Sequence, residues 1–191
     1  MMSGPLRPTP AWVDRSGLIQ IDPTPSVVDP LVHQRVLDRF HRYCWGFDER
    51  RLDVLSDCFA DDATWTASSM GETTIGPFVG KRAVLDWLTR YWDVQRSQRR
   101  HVITNVIVAA VSPETITAAG YLTLYGTRHA LSQLESVGVY RLVLRADGNA
   151  VRIASLTAGF DSPYWRGEVS DMTPETRQLF GILGNDETQG T

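Results

Sequence analysis

The segment RYCWGFDERRLDVLSDCFADDATW (residues 42–65) decides the fold, because its helical spacing gives way to a strand within a few residues. Leu52, Leu55 and Phe59 recur at helical spacing, which predicts a short helix from Glu49 to about Phe59. Asp48 stands where the N-cap of that helix would be. The next stretch, ATWTAS (63–68), is predicted to be a strand.

A longer helix precedes this segment and runs into it. Asp29-Pro30 matches an N-cap followed by proline at the first helical position. The residues that follow at helical spacing are Val32, Val36, Phe40, Tyr43 and Phe47. This first helix is predicted to end near Gly46. Residues 1–28 carry several prolines and little periodicity, which predicts an N-terminal arm.

The chain after the segment changes from one more helix to a series of strands. Residues 69–79 are predicted to be a loop because glycine and proline interrupt them, and a third helix is predicted from Lys81 to about Trp92. Residues rich in β-branched side chains, separated by turn signals, then predict four strands: 101–111, 115–126, 136–146 and 151–160. A short helix is expected at about 174–183.

Three helices followed mainly by strands predict an α+β fold in which the helices cover one face of a sheet. A sheet that curls around helices has a concave side, and that side makes a pocket. The 191 residues suit a single domain. We place it at residues 29–169, between the arm of residues 1–28 and a C-terminal tail of residues 170–191.

Composition excludes several classes of function. The net charge is −3 and no basic stripe is present, which argues against nucleic acid or an anionic membrane surface as partner. No apolar run approaches the roughly 20 residues of a membrane span, and no signal-peptide pattern is present, so we expect a cytoplasmic protein. Cys44 and Cys58 are expected to be buried free thiols. Motifs for metal or phosphate binding are lacking, and we expect no metal and no cofactor.

Two stretches, residues 42–65 and RRHVITNVIV (99–108), resemble the SnoaL-like branch of the NTF2-like superfamily. The resemblance covers about residues 30–165. It implies an NTF2-like cone, with a curved antiparallel sheet wrapped around three N-terminal helices. The superfamily holds dehydratases, isomerases, cyclases, dehydrochlorinases and proteins without a reaction, so it does not fix the chemistry. The layout is most similar to scytalone dehydratase, bile acid dehydratase and lindane dehydrochlorinase.

The resemblance implies a catalytic aspartate and histidine, which fall on Asp48 and His101, and a tyrosine, which falls on Tyr43. If the fold brings the first two together, the carboxylate holds one ring nitrogen and the other acts as a base. The Tyr43 hydroxyl would then assist a carbonyl or leaving oxygen. Each residue also has a structural interpretation: Asp48 as a helix cap, His101 as a strand residue near the sheet rim, and Tyr43 as core.

Four further residues are candidates for substrate binding. Asn105 follows His101 by four residues and is predicted on the same strand face, either binding substrate or satisfied by backbone. Trp65 and Tyr125 are aromatic residues that would line a hydrophobic pocket or pack in the core or a subunit interface. His129 lies near a predicted hairpin, where exposure is expected, and is retained as a candidate.

Two further regions near these candidates are relevant to the site: residues 124–129 and the pair Arg99–Arg100. The resembling families carry a second acidic or histidine partner in a region that falls on residues 124–129, where Gly126 or His129 could take its place. Arg99 and Arg100 precede His101, and we predict a solvated rim for both rather than a site for an anionic ligand.

Two functions follow from different classes. The first is a cofactor-independent lyase or isomerase, dehydratase-like, acting on a small hydrophobic or polycyclic carbonyl compound. The second is a non-catalytic scaffold, similar to the small β subunit of an aromatic-ring-hydroxylating dioxygenase, or a ligand-binding module. In either case an apolar sheet face would remain uncovered, which predicts a homodimer or homotrimer.

Overall fold

The structure of the protein, a computed structural model, describes residues 28–69, 73–110, 112, 114–147 and 150–161. The predicted arm, apart from residue 28, and the C-terminal tail with its predicted helix lie outside these residues. The elements run α1 (Pro30–Asp48), α2 (Leu52–Cys58), β1 (Phe59–Ser69), β2 (Thr73–Val79), α3 (Lys81–Val94), β3 (Gln98–Ala110), β4 (Thr115–Arg128), β5 (Leu131–Asp147) and β6 (Ala150–Phe160).

The strands form one curved, open sheet in the order β2-β1-β6-β5-β4-β3, with β2 and β3 at its edges. Strand β1 pairs with β6 in parallel, and the other neighbours pair antiparallel. The core fills the space between the helices and the inner sheet face, where Phe40 of α1, Leu142 of β5 and Leu156 of β6 are fully buried. The predicted α+β cone is confirmed.

The first helix begins as predicted and ends later than predicted. The Asp29 side chain accepts hydrogen bonds from the backbone N–H groups of Leu31 at 2.8 Å and Val32 at 3.3 Å, which caps α1. The helix continues past Gly46 to Asp48. A Cβ on Gly46 would lie 2.8 Å from the backbone nitrogen of Leu55, so this glycine permits close packing of α1 on α2 instead of ending the helix.

Other predicted elements also differ from the structure. The segment expected as a loop contains β2, which pairs with β1. Helix α2 begins at Leu52 instead of Glu49, and Arg51 occupies its N-cap position without a side-chain capping hydrogen bond. Cys44 and Cys58 are buried free thiols, as expected. Within the described ranges, no helix is long and apolar enough to cross a membrane.

Candidate active site

Asp48 and His101 meet where the end of α1 packs against the edge strand β3. The Oδ1 atom of Asp48 lies 2.6 Å from Nδ1 of His101, and Oδ2 accepts the backbone N–H of His101 at 2.8 Å. The side chain of His101 is 1% exposed and that of Asp48 is 7% exposed. One carboxylate therefore fixes both the ring and the strand that carries it.

The position of Asp48 follows from the way α1 extends toward β3. As the last residue of α1, Asp48 is followed by a turn, and α2 starts only four residues later. The Gln98 side chain donates to the Asp48 carbonyl oxygen at 2.9 Å, which holds the start of β3 against the helix end. The interpretation of Asp48 as the cap of α2 is wrong, because its oxygens bind His101.

Tyr140 of β5 is a member of this site that the sequence did not indicate. Its hydroxyl oxygen lies 3.1 Å from Nε2 of His101, and the residue is 2% exposed. Alternation along β5 places Tyr140 on the inner face with Leu142 and Leu144, so its burial was predictable. Its contact with His101 was not predictable, because β3 and β5 are separated by β4 and meet only across the curved sheet.

A narrow, mostly aromatic cavity borders the inner side of His101. Its volume is about 20 Å³, room for about one water molecule. The described residues that line it are Tyr43, Phe47, Trp65, Trp87, Leu88, Tyr91, His101, Tyr140 and Phe160. The Tyr43 ring lies edge-on to those of His101 and Tyr140, with centroids 6.4 and 5.9 Å away. Two of the predicted site residues, Tyr43 and Trp65, therefore line the same cavity as His101.

Trp65, one of the residues that line the cavity, carries a buried polar group. Its side chain is buried, and its indole N–H has no hydrogen-bond partner among the described residues. A buried donor without a partner is uncommon in native proteins.

A second, open cleft borders the same pair from the outer side. Its volume is about 200 Å³, and its described walls include Trp45 and His41 of α1 and Arg100 of β3. The Arg100 guanidinium pairs with Glu49 at 2.9 Å, and both side chains are partly exposed. Arg100 is thus at a solvated rim, as predicted.

Arg99 contradicts the prediction of a solvated rim. Its side chain is 1% exposed, and its Nη1 atom lies 2.9 Å from Oε2 of Glu135. Its Nη2 atom donates to the hydroxyl of Tyr91 at 2.5 Å, and Ser97 donates to the other oxygen of Glu135 at 2.8 Å. Arginine at position 99 is buried because alternation along β3 puts it on the same face as His101.

Glu135 lies against the region, residues 124–129, in which the resembling families have a second acidic or histidine partner. A Cβ on Gly126 would overlap Oε1 of Glu135, so the carboxylate from β5 occupies the space beside this glycine. An acidic group thus reaches the region from the neighbouring strand, but it is held by Arg99 and Ser97.

Three predicted substrate-binding residues lie away from the cavity. Asn105 is exposed at an irregularity of β3, with φ 53°, and this bulge interrupts the alternation that would have placed it on the face of His101. Tyr125 is 43% exposed on the outer sheet face. His129 is exposed in the turn between β4 and β5. The prediction that Asn105 and Tyr125 line the pocket is therefore corrected. The exposure expected for His129 is observed, and its place among the substrate-binding candidates is corrected.

The thiol of Cys44 lies beside the open cleft that borders Asp48 and His101. Burial, assisted by the charge of Asp48, raises the pKa of the Cys44 thiol far above its ordinary value, so Cys44 is a protonated core residue at neutral pH. Among the described residues, no three His, Cys, Asp or Glu side chains are grouped so that they could hold a metal ion.

The profile of the SnoaL-like domain matches residues 32–157, which is most of the chain and includes Asp48, His101 and Tyr140. The chain belongs to the SnoaL-like family. The predicted relation to the NTF2-like superfamily is thereby confirmed. A comparison with curated proteins finds no match.

Solved structures with the same fold include proteins of different function. Aln2 from a Streptomyces species is 17% identical, with a TM-score of 0.63 over 71% of this chain and 95% of that one. A protein from Novosphingobium aromaticivorans, assigned as the β subunit of an aromatic-ring-hydroxylating dioxygenase, is 18% identical, with a TM-score of 0.61 over 70% and 91%. A type 2 hexachlorocyclohexane dehydrochlorinase (LinA) is 20% identical, with a TM-score of 0.57 over 68% and 85%. At these identities the likeness shows the fold alone.

Proposed function

We propose that this SnoaL-like protein is a cofactor-independent lyase or isomerase that removes a proton from a small hydrophobic, ring-bearing substrate. The observation that carries the proposal is the 2.6 Å contact between Asp48 Oδ1 and His101 Nδ1, inside an aromatic cavity. A carboxylate in this position fixes the ring's tautomer and stabilises the imidazolium that proton transfer produces. The dehydrochlorinase among the structural neighbours shows that this fold accommodates an elimination enzyme.

We assign a separate role in this reaction to each residue of the site. An ionised carboxylate only accepts hydrogen bonds, so Nδ1 of a neutral His101 carries the proton and Nε2 has the lone pair of a base. Proton removal beside a carbonyl builds negative charge on the carbonyl oxygen. We assign Tyr43 and the indole N–H of Trp65 to that oxygen, since both side chains line the cavity.

Substitution of the pair tests this function. Asp48→Asn would let the amide donate to Nδ1, which moves the ring proton to Nε2 and removes the basic lone pair. His101→Ala removes the base itself. We expect each to lower kcat by on the order of 10²- to 10⁴-fold while the protein stays folded by circular dichroism. The panel should contain ring-bearing β-hydroxy ketones, β,γ-unsaturated ketones and chlorinated cyclohexanes.

His33→Ala is the matched control, because His33 lies in the first turn of α1, at the opposite end of the helix from Asp48. It should leave kcat unchanged. Full activity in folded His101→Ala would rule out the proposed chemistry, whatever the substrate.

The size of the cavity favours a second candidate. At about 20 Å³ it admits little more than a water molecule without movement of its walls. A filled cone suits a scaffold, and the neighbour assigned as a dioxygenase β subunit supports that alternative. Co-purification with a larger iron-containing subunit, together with wild-type levels of that assembly in the Asp48→Asn protein, would favour the scaffold over the enzyme. The cytoplasmic location and the homo-oligomer remain predictions in both cases.

A further inference from the structure

The hydrogen bond between Tyr140 and His101 conflicts with the simplest form of the proposed mechanism. With Nδ1 protonated and bound to Asp48, Nε2 has one lone pair and is an acceptor. The Tyr140 hydroxyl lies 3.1 Å away and must donate its proton to that lone pair. The atom expected to take the substrate proton is therefore already engaged by a tyrosine.

We propose that Tyr140 is the catalytic base of this site, and that its own proton passes to Nε2 of His101 as its oxygen takes the proton from the substrate. This inference rests on the proposed function and changes which residue touches the substrate. Tyr140 lines the aromatic cavity, and its hydroxyl oxygen can accept a proton while its O–H bond points to His101. Asp48 and His101 then act on the substrate through Tyr140.

The proton and electron balance of the step is complete without a co-reactant. The C–H bond of the substrate breaks, its proton joins the Tyr140 oxygen, and the former Tyr140 proton forms an N–H bond on His101. The electron pair of the C–H bond forms the new C=C bond and expels hydroxide or chloride from the adjacent carbon. Expelled hydroxide takes the proton back from His101 through Tyr140 and leaves as water. Expelled chloride leaves as an anion, and the proton goes to solvent. In an isomerisation nothing is expelled: the electron pair of the C–H bond forms a dienolate, and a proton returns from His101 through Tyr140 to the γ carbon.

The environment of His101 and Tyr140 favours proton transfer between them. Phe47 and Tyr43 hold the His101 ring edge-on, at centroid distances of 5.3 and 6.4 Å, and the side chains of His101 and Tyr140 are nearly inaccessible to water. An ordinary phenol is a weaker acid than imidazolium by about 3.5 pKa units, so a tyrosinate beside an imidazolium is a minor species but a stronger base than imidazole. The Asp48 carboxylate at 2.6 Å stabilises the imidazolium of that species.

Tyr140→Phe separates the two mechanisms because they predict opposite results. The substitution keeps the ring that packs on Tyr43 at 5.9 Å and removes only the hydroxyl. If Tyr140 is the base, kcat on the active panel compound falls by on the order of 10²-fold or more. If His101 takes the proton directly, freeing Nε2 leaves kcat unchanged or raises it, and the proposal is overturned. Tyr121→Phe, at a tyrosine of β4 that does not line the cavity, is the matched control and should keep full activity.

The two proposals fail in distinguishable ways. Loss of activity in His101→Ala with full activity in Tyr140→Phe overturns the role of Tyr140 and leaves the lyase or isomerase intact. Full activity in His101→Ala overturns both.

A measurement without substrate covers the case in which no panel compound is converted. Nitrogen-15 NMR of histidine-labelled full-length protein, with His101 assigned from the His101→Ala spectrum, reports which ring nitrogen carries the proton. We expect a protonated Nδ1 and a bare Nε2 at neutral pH, and a shift of the Nε2 resonance in Tyr140→Phe. A protonated Nε2 would make Tyr140 the acceptor of that hydrogen bond and would overturn the proposal.

Discussion

Arg99, two residues before His101, is a buried cation that pairs with Glu135. The pair depends on the absence of a side chain at Gly126. The Glu135 carboxylate reaches Arg99 across the space that a Cβ on Gly126 would occupy. Removing one partner of a buried ion pair is costly because the remaining charge stays desolvated. The absence of a side chain at Gly126 therefore permits the ion pair of Arg99, on the strand that carries His101.

Gly126→Ala should displace the Glu135 carboxylate and break its ion pair with Arg99. We expect a loss of about 3 kcal/mol in the free energy of unfolding, measured by urea denaturation. The control is a double-mutant cycle with Glu135→Ala, in which the clash has been removed in advance. In that background Gly126→Ala should cost less than about 1 kcal/mol. An equal cost in both backgrounds would show that the clash with Glu135 is not the cause.

The sequence predicted some members of the site and missed others for physical reasons. The pairing of Asp48 with His101 could be predicted because the family resemblance implied it, although the two residues are 53 positions apart. Tyr140 was missed because its partner lies two strands away, and sequence periodicity reports which face a side chain occupies but not which residue it meets. Asn105 was misplaced because one bulge in β3 breaks the alternation on which the prediction depended.

At the scale of elements, most helices and strands were predicted and β2 was not. Gly76-Pro77 in its middle indicated a loop, since proline cannot donate to a ladder within a sheet. The structure accommodates them because β2 is an edge strand that pairs only with β1. Whether a strand lies at an edge is a property of the assembled sheet, and the local sequence does not contain it.

Asp57, near the end of α2, links three elements. Its Oδ2 atom lies 3.0 Å from Nη1 of Arg39 in α1, and its Oδ1 atom lies 3.1 Å from Nη1 of Arg152 in β6. The Arg39 side chain is 8% exposed, whereas that of Asp57 is half exposed. The hydrogen bond and charge of Arg39, with a smaller contribution from Arg152, hold the pKa of the Asp57 carboxyl below its ordinary value.

Asp57→Asn should destabilise the protein by about 1–2 kcal/mol at pH 7, less than for a fully buried pair because solvent screens Asp57. A lowered carboxyl pKa contributes stability that is fully present above the unfolded value, near 3.8, and is lost as pH falls through the folded value. The free energies of unfolding of wild type and variant should therefore converge as the pH falls below the folded pKa of Asp57. Asp38→Asn, which breaks the exposed pair with Arg42, is the control and should cost less than about 0.5 kcal/mol. A difference for Asp57→Asn that persists at low pH would contradict the electrostatic explanation.

At the scale of the molecule, the order of the strands was the least predictable feature. Four late strands indicated a meander, and β3 to β6 form one. The parallel pairing of β1 with β6 joins segments about 90 residues apart, for example Thr64 with Ser155. Such a contact depends on how the whole sheet curls around the helices, and no local pattern encodes it.

The same curvature leaves one sheet face turned away from the helices, and this face is apolar at β3, β4 and β5. Val102, Tyr121, Tyr125 and Leu134 are between 40% and 57% exposed. The register places Val102 opposite Thr123 and Tyr125 opposite Leu134, so these side chains share one face.

An uncovered apolar row of this kind is typical of an interface, and a single patch that pairs with itself closes a two-fold dimer. We predict that a second copy of the chain covers it, and that Tyr121→Asp combined with Leu134→Asp halves the mass measured by light scattering. Because neither residue lines the cavity, the Asp48–His101 contact and the nitrogen-15 signals of His101 should be unchanged in the dissociated protein. A wild-type mass equal to one chain would mean that the face is covered in another way. A trimer that survives both substitutions would place the interface elsewhere on the molecule.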